Sequence, residues 1–264
     1  MLDVRNLTKK FVTGTINEVV ALADLNLHLE EGDFLTVIGS NGAGKTTFLN
    51  LIAGTYEPTS GEIFIDQKNV TGVPEHKRAV DIGRVFQEPG QGTAPGLTVA
   101  QNLSLAVKKG MKGLHYAVTS DRRKMFQTEL AELGLGLEDR LDERVRHLSG
   151  GQRQGLAVLM ATLTMPKVLL LDEHTASLDP KNARKILEIT ERLVTDKELT
   201  TIMVTHDMNQ ALDVGNRLAM LHRGSILCSL SEEEKHEFTI DSLLELFSRQ
   251  EVVDDELLLS LKKS

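Results

Sequence analysis

The stretch Phe34-Leu35-Thr36-Val37-Ile38-Gly39-Ser40-Asn41-Gly42-Ala43-Gly44-Lys45-Thr46 decides how the rest of the chain is read. Its first five residues are nearly all apolar, as expected of a strand buried on both faces. A glycine-rich loop follows, and then a helical pattern from Thr46 to Ala53, with Gly54 placed to cap its C-terminus. Gly39 through Thr46 satisfies G-x-x-x-x-G-K-[ST] in the context that motif requires, after a strand and before a helix. Glycines let successive backbone N–H groups converge at a helix N-terminus, whose partial positive charge favours an anion. In a loop of this kind Lys45 reaches the β- and γ-phosphates of a nucleotide and the Thr46 hydroxyl ligates Mg²⁺.

Working outward, Leu25 to Leu29 alternates with period two, as a strand with one buried face does, and Glu31-Gly32-Asp33 turns the chain. Two more buried strands are legible at Val168 to Leu171 and Thr201 to Val204. Between them Ala183, Ile186, Leu187, Thr190, Leu193 and Val194 recur at helical spacing, behind Asp179 as N-cap and Pro180 at the first helical position. A right-handed crossover makes these strands parallel, with helices covering the sheet. The stretch from about 98 to 165 is different. It carries helical patterns at Thr98 to Val107, Ser120 to Leu133 and Gly150 to Met165 and no convincing strand, and reads as a helical insertion. Beyond Ser231 the chain is charge-rich, with amphipathic patterns at Ile240 to Phe247 and Val252 to Leu261, expected to form short helices over one edge of the fold.

With 264 residues and 29.1 kDa the chain can form one large domain or two small ones and bury a sizeable core. A formal charge of -8 leaves no global positive field, which argues against nucleic acid as a partner. The single cysteine, Cys228, permits no internal disulfide, and the histidines show none of the familiar zinc spacings, so a reducing compartment fits. Met1-Leu2-Asp3-Val4-Arg5 does not read as a secretory signal. The longest apolar run, Leu156 to Met165, is about half of what crosses a bilayer and reads as a buried helix. A chain of this kind acts on a membrane only as a peripheral subunit.

Strand Val168 to Leu171 ends in Asp172-Glu173, which places two acids in the crevice where α/β sheets bind ligands. Asp172 is expected to hold Mg²⁺ through water or from outside its directly bonded ligands, and Glu173 is the base or orienter of an attacking water. Between the two motifs lies Leu148-Ser149-Gly150-Gly151-Gln152, a second anion-binding surface by the same physics, or simply a helix capped by Ser149. If both surfaces bind one nucleotide, two copies must pair head to tail about a two-fold axis, each closing the other's phosphate loop.

With these motifs in this order, the chain resembles the nucleotide-binding subunit of an ABC transporter over about residues 1 to 230. The resemblance implies a P-loop NTPase core with a mostly parallel sheet, an N-terminal antiparallel β-subdomain and an α-helical insertion. It divides the chain into a core of about 1–88 and 166–230, a helical part of about 89–165 and a tail at 231–264. It also implies ATP and Mg²⁺ as ligands. Phe11 stands where the family places an aromatic ring under adenine, and Gln87, in Val85-Phe86-Gln87-Glu88-Pro89, matches the glutamine that contacts Mg²⁺ and links the site to the membrane subunit. Ser177-Leu178-Asp179 matches the loop that crosses the dimer interface, and His206 matches the switch histidine near the γ-phosphate. The implied nucleotide-binding set is Phe11, Gly39, Ser40, Asn41, Gly42, Ala43, Gly44, Lys45, Thr46, Thr47, Ser149, Gly150, Gly151, Gln152 and Asp179, with Thr46, Gln87 and Asp172 at the metal and Glu173, His206 and Gln87 in catalysis.

Each of these has a plainer reading when taken alone: Phe11 as core packing, Gln87 as a loop amide, Asp179 as an N-cap only, His206 as a polar residue after a strand. Their joint order decides for the family. The chain also departs from the commonest pattern. His174 replaces the usual proline after the catalytic glutamate, Gly155 and Met160-Ala161-Thr162 replace arginine-bearing positions, and Gly92-Thr93-Ala94-Pro95 is unusual where the family meets its membrane partner. The combination of Glu173-His174-Thr175 with Gly92-Thr93-Ala94-Pro95 resembles a bacterial importer subgroup linked to uptake of amino acids, tryptophan or other aromatics among them. The expected partners are a second copy, integral membrane permease subunits and an extracytoplasmic solute-binding protein, at the cytoplasmic face of the membrane. The alternative is a soluble ABC ATPase of the iron-sulfur cluster assembly type. The stretch between Gln87 and Ser149 is far too short for the coiled coil of structural-maintenance ATPases.

Overall fold

The apolar run that opens the phosphate loop becomes strand β3 (Phe34–Gly39), and everything else is arranged around it. In the computed structural model the described residues are 1–107 and 118–248, apart from 13, 15 and 16. The other strands are β1 (Leu2–Phe11), β2 (Val19–Leu29), β4 (Ser60–Ile65), β5 (Lys68–Asn69), β6 (Ile82–Val85), β7 (Val168–Asp172), β8 (Thr200–Val204), β9 (Arg217–His222) and β10 (Ser225–Leu230). They form an antiparallel sheet in the order β2-β1-β4-β5 and a second sheet in the order β10-β9-β3-β8-β7-β6. In the second sheet β9, β3, β8, β7 and β6 run parallel and only β10 is antiparallel.

Side-chain alternation along the central strands divides the core in two. Leu35, Val37, Val168, Leu170, Ile202 and Val204 face the antiparallel sheet, with helix Lys45–Ala53 packed between the layers, where Phe48, Leu49, Leu51 and Ile52 are all buried. Leu169, Leu171 and Met203 face the other way, onto helices Val99–Val107, Ser120–Leu133, Gly150–Thr162 and Pro180–Asp196. Burial on both faces explains why β7 and β8 read as continuous apolar runs rather than alternating ones.

Helix Gly150–Thr162 stops three residues before the end of the helical pattern in the sequence. Met165 takes a left-handed φ of 47° and is exposed, so it belongs to the turn into β7 and not to a buried helix. Among the described residues, only an isolated bridge, Thr98 with Arg144, pairs extended backbone between β6 and β7. Residues 240–248 are helical and seal the sheet edge near β9 and β10, where Leu243 is buried with Ile38, Leu218 and Met220. The pattern from Val252 to Leu261 lies outside the described residues. No helix among the described residues is long and apolar enough to cross a membrane.

Candidate active site

The loop between β3 and helix Lys45–Ala53 is set by backbone constraints. Gly44, the N-cap, has φ 103°, and a Cβ there would meet Ala21 O at 2.5 Å, so only glycine allows the loop to lie on β2. No side chain caps this helix, which leaves its first N–H groups for a ligand. Lys45 bends back over the loop, its Nζ donating to Gly39 O (2.7 Å) and Ser40 O (3.2 Å). Burial lowers the pKa of this ammonium, and the nearby Glu173 and Asp172 oppose that shift.

Two parallel strands deliver the acidic groups. Asp172 ends β7, and burial raises its pKa, with the Arg84 guanidinium pulling the other way. Glu173 adopts a left-handed φ of 43° and donates its N–H to Val204 O at the end of β8 (3.0 Å). A non-glycine residue in this region is strained, and such strain collects at functional sites. The turn brings the Glu173 carboxylate to 3.5 Å from Nδ1 of His206, which follows β8 and leaves most of its ring exposed. The same pair lines a cavity of about 710 Å³ that opens toward helices Pro180–Asp196 and Met208–Asp213.

On the other side of Asp172 lies a cleft of about 430 Å³ lined by Thr46, Gln87 and Asp172 together with Asn50, Arg84 and Phe86. A hydroxyl, an amide oxygen and a carboxylate are hard oxygen donors, the set that suits Mg²⁺. Lys45, Thr46, Gln87, Asp172, Glu173 and His206 are thus gathered around one strand end. Phe11 lies at the end of β1 paired with Val19, two residues along β2 from the point where Gly44 packs. Its ring stands edge-on to Tyr56, centroids 5.5 Å apart, with the Lys9 ammonium 5.0 Å from the Phe11 ring centre.

Ser149 to Gln152 lies elsewhere. Ser149 caps helix Gly150–Thr162 in a reciprocal capping box with Gln152, whose side chain also donates to Leu135 O (3.1 Å) and accepts from Arg140 (3.2 Å). The Gln152 side chain is therefore occupied within its own protomer. Asp179 caps helix Pro180–Asp196 through Asn182 N, and a Cβ on Gly151 would sit 3.2 Å from Asn182 Oδ1, so the two helix starts pack together. Among the described residues no hydrogen bond joins this pair of helix starts to the phosphate loop. Gln87 lies between the two groups: Gln154 donates to Phe86 O (3.3 Å) and Ser177 to Gln87 O (3.3 Å).

Three further residues border these groups, Tyr56, Arg84 and Gln154. Tyr56 and Arg84 meet Phe11 and Asp172 only through the fold, and no local pattern marks them. Gln154 sits inside the helical pattern two residues past Gln152 and was the one available signal, a buried amide on an otherwise small and apolar helix face. His174, the departure next to Glu173, is fully buried. Its Nε2 lies 3.1 Å from Thr190 Oγ1, whose own hydrogen goes to Ile186 O, so the imidazole is the donor. Burial lowers its pKa to about 4.

Comparison with known proteins gives the family. The ABC transporter family model matches residues 22–176. The chain is 42% identical over 247 residues to a tyrosine transport ATP-binding protein of Clostridioides difficile, covering 94% of this chain and 98% of the relative. It is 36% identical over 228 residues to a spermidine/putrescine import ATP-binding protein of Mycoplasma mycoides, and there it spans 60% of the relative's length. Among solved structures, a dimeric ATP-binding cassette in a post-hydrolysis state bound to ADP and Pi superposes with a TM-score of 0.74 at 31% identity, over 88% of this chain and 99% of that one.

Proposed function

This chain belongs to the ABC transporter family and is its ATP-binding, ATP-hydrolysing subunit, and from that premise we propose that it drives uptake of an amino acid, of the aromatic class, through permease subunits on other chains. The observation that carries the chemistry is the gathering of Lys45, Thr46, Gln87, Asp172, Glu173 and His206 around one strand end, with Ser149 to Gln152 held apart from it. The near full-length similarity to a tyrosine transport ATP-binding protein supports the solute class.

In this reading the helix N-terminus and Lys45 take the β- and γ-phosphates, and Phe11, braced by Tyr56, takes the adenine. Thr46, Gln87 and Asp172 hold Mg²⁺, which when bound neutralises charge on the phosphate oxygens. Glu173 orients and deprotonates the attacking water, and its strained turn aims the carboxylate into the site before the nucleotide arrives. His206, within reach of Glu173, donates to the γ-phosphate. A second copy supplies Ser149 and Gly150–Gly151 through hydroxyl and backbone N–H groups, while Gln152 acts by holding the helix start in shape. Residues 89–165, with Gln87 at their root, carry the motion to the permease. The protein then works at the cytoplasmic face of the membrane, in a system that includes an extracytoplasmic solute-binding protein.

Two measurements test this. Glu173→Gln should abolish phosphate release, by at least about a hundredfold on the scale of general-base removal, and leave an ATP-bound dimer visible by light scattering. Wild-type turnover in that variant would remove Glu173 from its role. In proteoliposomes holding the cognate permease, ATP should drive accumulation of labelled tyrosine or tryptophan, and uptake of polyamine alone would overturn the solute class.

A further inference from the structure

Arg84 is a cation in the wall of the metal cleft, and neither the motifs nor the mechanism uses it. It sits in β6 opposite Leu170 of β7, so its side chain emerges beside the end of the strand that carries Asp172. The guanidinium is largely buried and places Nη2 3.8 Å from Asp172 Oδ2. It is held from three sides. Nη2 donates to Asn50 Oδ1 at 2.7 Å, Nη1 to Thr55 Oγ1 at 3.3 Å, and the plane stacks on the Phe86 ring at 4.5 Å. Asn50 lies one helical turn beyond Thr46, and Phe86 immediately precedes Gln87, so Arg84 touches a neighbour of each group expected to hold the metal. Its Nε is buried with no hydrogen-bond partner, so this position leaves one of the side chain's own donors unsatisfied.

We propose that Arg84 is a positioning residue of the metal cleft: it fixes the Asp172 carboxylate and, as a permanent cation beside it, weakens the hold of the cleft on a divalent ion. The inference rests on the reading of the cleft as the Mg²⁺ and nucleotide site. Two positive groups border Asp172, and they differ in kind. Lys45 is engaged with loop carbonyls and in the proposed reading turns to phosphate, whereas Arg84 is held by Asn50 and Phe86. A guanidinium cannot lose its proton, so its charge opposes a dication at every stage of the cycle. A fixed unit charge in the wall of a solvent-screened cleft changes the pull on a dication held there by on the order of tenfold or more. The consequence is a site that binds the metal only together with phosphate and releases it with the product.

The test is equilibrium binding of a fluorescent ADP analogue to the full chain, titrated with Mg²⁺, for the wild type and for Arg84→Met, Arg84→Gln and Arg84→Lys. Arg84→Gln keeps an amide donor for Asn50 and serves if Arg84→Met does not fold. Half-saturating Mg²⁺ should fall about tenfold in the neutral variants and return to within about twofold of wild type in Arg84→Lys, where the charge is restored. Unchanged or raised half-saturation in the neutral variants overturns the proposal, as does the same fall in Arg84→Lys, because the charge would then not be the cause. If the wild type binds the analogue without any dependence on Mg²⁺, or does not bind it, the reading of the cleft itself fails. If the wild type shows the dependence and the variants match it, only the role of Arg84 fails.

Discussion

The imidazole of His174 lies inside the core one residue beyond Glu173, bonded to Thr190 on helix Pro180–Asp196. It ties the Glu173 turn to helix Pro180–Asp196, where a proline would offer no such bond. A buried imidazole makes that tie sensitive to acid. The unfolded imidazole titrates near 6.5 and the folded one near 4, so between those values the unfolded state binds more protons and stability falls as pH drops. Above about 6.5 the stabilising contribution is fully present, and by about pH 4 it is lost, an effect of about 3 kcal/mol. Urea denaturation at pH 7 and pH 4.5 should therefore show a smaller acid penalty for His174→Gln than for the wild type. Equal penalties would mean that the ring is not buried neutral. The substitution was visible in the sequence as a departure, but its consequence was not, because Thr190 is distant in sequence and only the β7-to-helix packing brings it within reach.

At the scale of elements, the helix that carries Lys45 and Thr46 is anchored at its far end by Arg78, a buried side chain that donates to four backbone carbonyls. Its Nη1 takes Leu51 O and Ile52 O, both at 2.8 Å, Nε takes Val73 O at 2.7 Å, and Nη2 takes Thr71 O at 2.7 Å. The carbonyls of Leu51 and Ile52 belong to the last helical turn, so a cation here also opposes the negative end of the helix dipole. Arg78→Met should cost about 3 kcal/mol in urea denaturation, because buried carbonyls lose their donors, and Arg78→Lys should recover less than half of that, since an ammonium cannot copy the planar fork. A loss under about 1 kcal/mol for Arg78→Met would show that water replaces it. Elements whose identity is written locally, such as β3 with its loop, β7, β8 and the Asp179-capped helix, were legible from the sequence. The antiparallel sheet was legible only at Leu25 to Leu29, because bulges break the alternation that announces a strand. Register shifts on β1 and β2 fall where Asn6 and Asp24 take left-handed φ values and bond to each other at 2.8 Å, which resets the buried positions from Leu22 to Leu25 by three. Strand β6 was missed for a different reason. It is four residues long and contains Gly83 and Arg84, one needed for close approach to Ala161 O and the other for the cleft.

For the whole molecule, the decisive feature is a separation. The phosphate loop, Asp172, Glu173 and His206 share one strand end, while Ser149 and Asp179 cap a pair of helix starts that no hydrogen bond among the described residues joins to the phosphate loop; Leu178 and Pro180, on either side of Asp179, line the cavity of Glu173 and His206, and Gln154 and Ser177 bond to Phe86 and Gln87. The sequence places all of these motifs in one chain but cannot say whether they meet within it, because proximity is a property of the folded topology. In the proposed reading a complete site takes the loop of one copy and the helix start of another, and that arrangement makes a prediction that a single self-sufficient protomer does not. Lys45→Ala removes the phosphate contact of a protomer's own site, and Ser149→Arg fills the surface that it offers to its partner. Each variant alone forms only dead sites. In a mixed dimer, one site combines both lesions and the other combines the intact loop of the Ser149→Arg chain with the intact helix start of the Lys45→Ala chain. An equimolar mixture of these two inactive proteins should therefore recover ATPase activity, toward about a quarter of wild type when chains pair at random and sites act independently. A chain carrying both substitutions should recover none when mixed with either single variant, because every dimer then pairs the lesions wrongly. If the two single variants stay silent together while each still gives a half-active dimer with a wild-type copy, sites are not shared across the two-fold axis in the way proposed, and Ser149 must act within its own protomer.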